Sequence, residues 1–559
     1  MTDVYPPLKS TLSSGAALVF PTLKPAQIER VAAQGRVRQV RPGEVLIEAG
    51  EKNAPFFVIK TGQVEVVQPS GATEKPVALF LPGQFTGEIS ILFGRRILVR
   101  VRAKEAGEVI EIDREHLLKL VQTDSELSEI FMRAFILRRV ELIAQEFGDV
   151  VVLGSGHSPG TLRIKEFLGR NGHPYSYIDL DSDAGTQDLL DHFHVAVNDV
   201  PVMICRGDVV LRNPTNEQIA ECLGFNEAID QTRLRDVVIV GAGPAGLAAA
   251  VYAASEGLDV LVLETNAPGG QAGSSSKIEN YLGFPAGISG QELATRAYTQ
   301  AQKFGAQLMI TKGAKALKRD RNQYAIEIDH GSPVQARSVI IAVGAQYRKL
   351  PLENLSQFEG SGVYYAATFV ESQLCAGEEV IVVGGGNSAG QAAVFLAQNA
   401  NRVHLIFRSD ELANSMSRYL IRRLAEISAI VLRPRTEITA LEGGDHLERV
   451  RWRDNQADTF ETHDIRHVFV MTGAIPNTQW LDGGVALDAN GFIKTGPDLS
   501  PEDLTSAHWP LARPPHLLET SLPRVFAVGD ARGGSMKRLA AAVGEGSIAV
   551  AFVHQVLHE

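Results

Sequence analysis

Cysteine is scarce: there are three in 559 residues, Cys205, Cys222 and Cys375, and none stands in a Cys-x-x-Cys pair or at metal-ligand spacing. That excludes a disulfide framework and predicts a reducing compartment. Long hydrophobic runs are missing too, and the N-terminal MTDVYPPLKS lacks the basic-then-apolar order of a signal peptide. The expectation is a soluble cytoplasmic protein with no membrane partner. Basic runs are absent, and a net charge of −11 disfavours a general nucleic-acid binder, because nothing would neutralise a phosphate backbone. His192 with His194 in DHFH and His463 with His467 in HDIRH form two close groups, but neither spacing supplies a ligand set, so no metal site is expected.

What is present is glycine, 52 residues of it, with 45% hydrophobic and 21% charged residues. This is the composition of an α/β protein rich in tight strand-to-helix turns. The length predicts roughly three to four domains. From Val40 to Ile112 short alternating segments are separated by glycine turns at Gly43, Gly50, Gly62, Gly71, Gly83, Gly94 and Gly107, which predicts a small antiparallel barrel. Arg114 to Phe147 turns helical. A second segment, Asp149 to Asn226, reads as strand VVVLG, helix TLRIKEFLGRNG, strand YSYIDLD, then strands PVMIC and VVLRN joined by RGD. Its last helix starts at Thr215 with Gln218 three residues on, a capping box. Beyond Arg233, α/β alternation runs to Glu559.

The chemistry sits in this last region. In DVVIVGAGPAGLAAAVYAASEGLDVLVLE an apolar strand enters Gly241-x-Gly243-Pro244-Ala245-Gly246, a helix follows, and a second strand ends at Glu264. The first glycine makes the turn, the second admits a pyrophosphate to the backbone, the third lets helix and strand pack, and the acid accepts from an adenosine ribose hydroxyl. A second loop occurs in EVIVVGGGNSAGQAAVFLAQNANRVHLIFR, where Gly384, Gly386 and Ala389 take the three small positions, with Asn387 and Ser388 between them. Arg408 ends the next strand where the first domain has Glu264, and a basic residue there favours a 2′-phosphate. Two such folds suggest a tightly held flavin and an exchangeable nicotinamide. VFAVGD, ending in Gly529 and Asp530, and a helix at Leu539 to Leu557 return the chain to the first of them.

On these residues Arg233 to Glu559 resembles low-molecular-weight thioredoxin reductase. GGQAGSSSKIENYLGFP looks like that family's flavin loop, which implies that Gly270, Gln271 and Asn280 line the isoalloxazine and ribityl groups. IAVGA with Gly344 and MTGAIPNT with Gly473 match its two interdomain segments. KRLAAAVGEG, beginning Lys537, Arg538 and Leu539, matches its last flavin-contacting helix, and Asp530 would meet the ribityl chain. The resemblance implies FAD and NADP (or NAD) as cofactors and a homodimer. Where the family carries Cys-x-x-Cys, this chain has Ala366-Ala367-Thr368-Phe369 in GVYYAATF, so both redox thiols are replaced. Disulfide exchange needs an attacking thiolate and a resolving thiol. No catalytic residue is therefore assigned, and Cys375 reads as structural. The family's NADPH-reading arginines are matched by Phe407, Arg408, Ser409 and Ala413, with Arg418 nearby, which leaves NADPH and NADH both open.

Residues 1–148 resemble a cyclic nucleotide-binding domain. FTGEISILFGRRILVRVRA looks like its phosphate cassette, which implies Gly87 and Glu88 on the ribose 2′-hydroxyl and Arg95 or Arg96 on the cyclic phosphate. Leu98 and Val99 stand where the family has a small residue and a hydroxyl, so a cyclic nucleotide, another nucleotide and a ligand-free barrel all stay open. Residues 149–228 resemble a glutaredoxin or thioredoxin-like fold, with GSGHSPG in place of the Cys-x-x-Cys loop and Val200-Pro201 matching its cis-proline. The expected architecture is multidomain: a β-barrel cyclic-nucleotide-binding domain, a thioredoxin-like α/β domain, and two Rossmann-like domains, FAD-binding over 233–352 with 518–559 and NAD(P)-binding over 353–517. The expected function is an FAD-dependent NAD(P)H oxidoreductase without the dithiol. Its acceptor is open among ferredoxin, thioredoxin and small oxidants, and a cyclic nucleotide regulates it. The alternatives are a nucleotide-sensing flavoprotein with little turnover, or disulfide reduction with a partner's thiols. The expectation from Glu559 following the last flavin helix is a reductase without the C-terminal extension of some ferredoxin-reducing relatives.

Overall fold

The computed structural model describes residues 16–70, 73–93, 96–144, 150–156, 158–180, 200–205, 209–226, 229–230, 232–275, 277–278, 280–320, 323–365, 367, 369–413 and 415–559. Gly71, Gly94, Arg95, His192, His194, Ala366 and Thr368 lie outside the described residues. The chain forms two compact units, 1–156 with 167–229 and 302–304, and 157–166 with 230–301 and 305–559.

In the first unit two antiparallel sheets close a barrel. One is ordered Arg36–Val40, Gly107–Ile112, Phe56–Ile59; the other Val45–Ile47, Arg100–Ala103, Val64–Ser70, Thr73–Phe80. Phe56–Ile59 is buried along its whole length because its alternate side chains enter two cores. Phe57 and Ile59 fill the barrel with Val64, Phe80 and Val109. Phe56 and Val58 face Phe131 and Phe135 of the helix Ser125–Ala144. This follows from the period-two geometry of a strand. Gly43, Gly50, Gly62 and Gly83 adopt positive φ as turn glycines. Gly107 does not turn: it opens a strand, and a Cβ there would stand 2.0 Å from the Thr61 carbonyl oxygen. The same unit holds a four-stranded sheet ordered Val209–Arg212, Val202–Cys205, Val150–Gly154, Ser176–Asp179, of which only the last pair is parallel. Val200–Pro201 is cis, and Thr215 and Gln218 form the expected capping box.

The second unit carries two parallel sheets. The first orders Gln307–Ile310, Val260–Glu264, Arg235–Val240, Val334–Ile341 and Val525–Ala527 in parallel, with Gln323–Ile328 and Ala314–Asp320 added as an antiparallel extension. The second orders Val363–Tyr364, His467–Val470, Glu379–Val383, Arg402–Ile406 and Ile430–Arg433. The chain crosses between them twice, and the crossings pair as a ribbon, Ala345–Tyr347 against Ala474–Pro476. Gly344 and Gly473, with φ of 64° and 91°, sit at its ends, where Arg348 N–H donates to Gly473 O and Asn477 N–H to Gly344 O. The return crossing thus falls near residue 477. Residues 478–517 belong with the first sheet, since Ala486 N–H donates to Ser521 Oγ, Gly496 N–H to Glu519 O and Ile493 N–H to Ala531 O. We therefore place the boundary there in preference to 517.

Leu539–His558 is long and apolar enough to cross a bilayer by length and composition alone. It packs on the helix Pro244–Ser255, where a Cβ on Gly546 would meet the Ala245 carbonyl oxygen at 2.2 Å, so it is a core helix of this unit.

Candidate cofactor and ligand sites

The first glycine loop has a separate physical reason at each position. Gly241 has φ of 105°, and a Cβ on it would lie 2.4 Å from Ala342 O, just past the end of the neighbouring strand Val334–Ile341. A Cβ on Gly246 would stand 1.9 Å from Gly241 O, so helix and turn approach as closely as glycine allows. Gly243 differs: its φ is −70°, and the nearest atom to a Cβ is Gly270 Cα at 3.9 Å. It caps Pro244–Ser255 with no side-chain cap bond, so the N–H groups of the first turn open onto the space beside Gly243. That is the cradle a pyrophosphate fits. Glu264 is buried and accepts from Ala242 N–H at 2.8 Å and Asn266 N–H at 2.9 Å, which fixes loop and acid together.

Around this loop lie other residues singled out in the sequence. Gly269 N–H donates to Ala242 O, Gly270 stacks on Gly243, and Gln271 Nε2 donates to Ala345 O. Asn280 is exposed. Gly529, φ 69°, approaches Ala245 and donates to Glu545 Oε2 at 2.7 Å. Burial raises the Asp530 carboxyl above its usual pKa, Lys537 opposes this and Glu545 adds to it. Lys537 Nζ donates to Asp530 O, and Arg538 caps the helix that begins at Leu539. Glu545, which holds Gly529 and pairs with Arg532 at 2.6 Å, was missed in the sequence. An acid inside the otherwise apolar AAAVGEGSIAV was its signal.

The second loop repeats the geometry with one difference. Gly384, φ 144°, packs on Met471 O, Gly386 caps Asn387–Leu396 without a side-chain bond, and Ala389 is fully buried. Ser415 Oγ donates to Gly385 O, and Ser417 N–H to Asn387 Oδ1, both at 2.8 Å, so Asn387 anchors the segment crossing the loop. Ser388 is exposed. Gly384 N–H donates to Ile406 O as Gly241 N–H does to Leu263 O, so the counterpart of Glu264 is Phe407. This corrects the expected alignment by one residue. Phe407 is buried and offers no acceptor, while Arg408 is exposed just beyond it.

With two dinucleotide loops on paired sheets, comparison with known proteins decides the family. Residues 235–546 match the pyridine nucleotide-disulphide oxidoreductase family, and residues 37–124 match the cyclic nucleotide-binding domain. The chain belongs to the pyridine nucleotide-disulphide oxidoreductase family. It is 33% identical over 316 residues to thioredoxin reductase of Mycolicibacterium smegmatis, covering 56% of this chain and 94% of the relative. Identity to the Bacillus subtilis thioredoxin reductase is 29% over 331 residues, covering 59% and 97%. A solved Lactococcus lactis thioredoxin reductase (FR conformation) superposes with TM-score 0.52 at 26% identity, covering 58% of this chain and all of that one. As a member of this family the chain is an NAD(P)H-dependent flavin oxidoreductase, and the cofactors of the class are FAD and NADPH.

Around Ala366 and Phe369, Val363–Tyr364 is a short edge strand, Ala367 joins the core of the second sheet, and Phe369 opens the helix Phe369–Leu374. Cys375 is fully buried in that core, and burial pushes its thiol up to about 11. Cys205 is fully buried on a strand. Neither has the exposed, electropositive setting of a reactive thiolate. His463 stacks on Trp452 at 3.9 Å and His467 pairs with Glu378 at 3.3 Å; among the described residues no cluster could hold a metal.

In the barrel, Gly87 has φ of 94° and Glu88 is 8% exposed. Glu88 Oε2 accepts from Ser90 N–H at 3.0 Å; Oε1 is buried with no hydrogen-bond partner among the described residues. Leu98 is buried beside Ile97, and Arg96 is half-buried. Arg138, absent from the sequence reading, is buried at the back of this loop. It donates to Gly87 O at 2.7 Å and Phe85 O at 3.0 Å and lies over Phe80 and Phe85. Burial lowers its pKa, opposed by Glu88. Two arginines inside the apolar FILRRVELIA were its signal.

Proposed function

We propose that this enzyme takes electrons from NADPH and delivers them from its flavin to an acceptor without a dithiol of its own, under control of a nucleotide bound at Gly87 and Glu88. The observation that supports the reading is the pairing of a glycine loop open at Gly243 with residues free of thiols where the resemblance puts the family's dithiol. Ala366 and Phe369 stand there, and the one cysteine nearby in sequence, Cys375, is buried with its thiol held protonated. FAD, when bound, supplies two-electron and one-electron chemistry in one ring system. The chain's own part is to hold it: the open N–H groups behind Gly243 for the pyrophosphate, Glu264 for the adenosine ribose, Asp530 as a half-buried hydrogen-bond partner for the ribityl hydroxyls. Arg408 beyond the second loop suits the 2′-phosphate of NADPH through charge-assisted bonds. In the sensor, Oε1 of Glu88, buried and without a partner among the described residues, favours a ligand hydroxyl, since such an oxygen left without a donor costs about 1–3 kcal/mol.

Anaerobic addition of NADPH to the purified flavoprotein tests this. The visible flavin band bleaches rapidly, and turnover follows with ferredoxin, a quinone or a small oxidant but not with thioredoxin disulfide. Reduction of thioredoxin disulfide by the isolated chain at family-like rates would overturn the dithiol-free route.

A further inference from the structure

Arg139 adjoins Arg138 on Ser125–Ala144 and is 8% exposed. Its Nη1 lies 3.8 Å from Glu88 Oε2. Its Nε and Nη2 donate at 3.0 and 2.8 Å to the carbonyl of Gly172 in the thioredoxin-like segment. Gly172, φ 62°, follows the helix Pro159–Arg170 and ends it: its N–H donates to Gly169 O, and His173 N–H donates to Leu168 O. A helix C-terminus carries the negative end of the helix dipole, so a guanidinium is favourable there. A buried guanidinium held by a carbonyl still needs compensating charge, and Glu88 contributes to it. One cation therefore faces the acid of the sensor loop and the terminus of a helix in the neighbouring sheet domain.

We infer that Arg139 is a positioning residue that couples Glu88 to the C-terminal cap of the thioredoxin-like helix, so that a ligand hydroxyl on Glu88 is felt at Gly172. A hydroxyl donating to the carboxylate draws negative charge toward the ligand and leaves Arg139 less compensated, which loosens its hold on the cap. The ligand-driven half rests on the proposed nucleotide reading of Gly87 and Glu88; the link from Glu88 through Arg139 to Gly172 stands without it. It gives the thioredoxin-like domain, which carries no redox pair, a role as the element that the sensor moves.

Hydrogen–deuterium exchange of the flavin-loaded full chain over residues 168–173 tests both halves. Without nucleotide, Glu88→Gln raises exchange there about tenfold, the scale of losing a charge-assisted hydrogen bond, and Arg139→Gln does the same. The double variant exchanges no faster than Arg139→Gln, because the two residues act in series. Glu88→Asp keeps the charge and serves if the glutamine variant does not fold. Unchanged exchange in either single variant, or additive effects, overturns the link. With cAMP or cGMP as probe, the wild-type chain shows faster exchange over 168–173 and Arg139→Gln, still binding, does not. Calorimetric binding with no change at 168–173 overturns the proposal. Absence of binding by both probes removes the cyclic-nucleotide reading and leaves the Glu88→Gln comparison to decide the link.

Discussion

Replacing Gly243 with alanine separates cofactor binding from folding. The backbone there, φ −70° and ψ −177°, is one that alanine adopts freely, and the added methyl meets only Gly270 Cα, at 3.9 Å. The apoprotein therefore loses nothing and gains up to about 1 kcal/mol from a less flexible unfolded chain. FAD loses heavily, because the methyl occupies the space through which the pyrophosphate reaches the first-turn N–H groups. Forfeiting one hydrogen bond to a charged group costs about 1.5–3 kcal/mol, so affinity falls by roughly tenfold to more than a hundredfold. Gly246→Ala is the contrast: its methyl would stand 1.9 Å from Gly241 O, and the helix must shift from the sheet at a cost of about 1–3 kcal/mol or more. The assay is flavin content and FAD titration, set beside the melting temperature of flavin-stripped protein. Gly243→Ala melts with the wild type and binds poorly; Gly246→Ala melts lower. A Gly243→Ala protein that titrates FAD with wild-type affinity would refute the assignment of this cradle.

Arg408→Ala raises KM for NADPH about tenfold while leaving KM for NADH unchanged, as expected for one charge-assisted phosphate contact; equal effects on both cofactors would remove Arg408 from the 2′-phosphate site. Cys375, buried and with its thiol near 11, reacts with an aromatic disulfide reagent only on unfolding, and Cys375→Ala keeps full turnover; rapid labelling of native protein would reopen it as a redox thiol. His404 is buried beside Glu379 at 3.1 Å, and burial lowers its pKa from the usual 6.5, with Glu379 opposing. The unfolded chain then takes up the proton first, so the contribution of neutral His404 is full above about pH 6.5 and is lost as pH falls below it. Denaturant midpoints from pH 7.5 to 5.5 follow that slope, and His404→Gln flattens it.

Both glycine loops were legible in the sequence because strand, turn and helix are contiguous there. Each steric requirement, a turn at Gly241, an opening at Gly243, contact at Gly246, is met within one βα unit. The absence of thiols at Ala366 and Phe369 was equally plain, since no packing can create a sulfur. The capping box at Thr215 and the barrel glycines Gly43, Gly50, Gly62 and Gly83 were local in the same sense. Gly107 was misread as a turn because the atom that requires glycine, Thr61 O, lies 46 residues earlier, in the bend after Phe56–Ile59.

Tertiary structure decided what depends on partners far along the chain. The crossing at Ala474–Pro476 exists because it pairs with Ala345–Tyr347, and residues 478–517 join the first sheet through bonds to Glu519, Ser521 and Ala531. Phe407 takes the place of Glu264 because backbone register, not residue type, sets that position. Arg138 and Arg139 stand out only once folding buries them against Gly87, Glu88 and Gly172. The sequence by itself determined which chemistry the chain can and cannot carry. Only the fold, by bringing together groups whose desolvation must be compensated, decided which residues hold the sites in place.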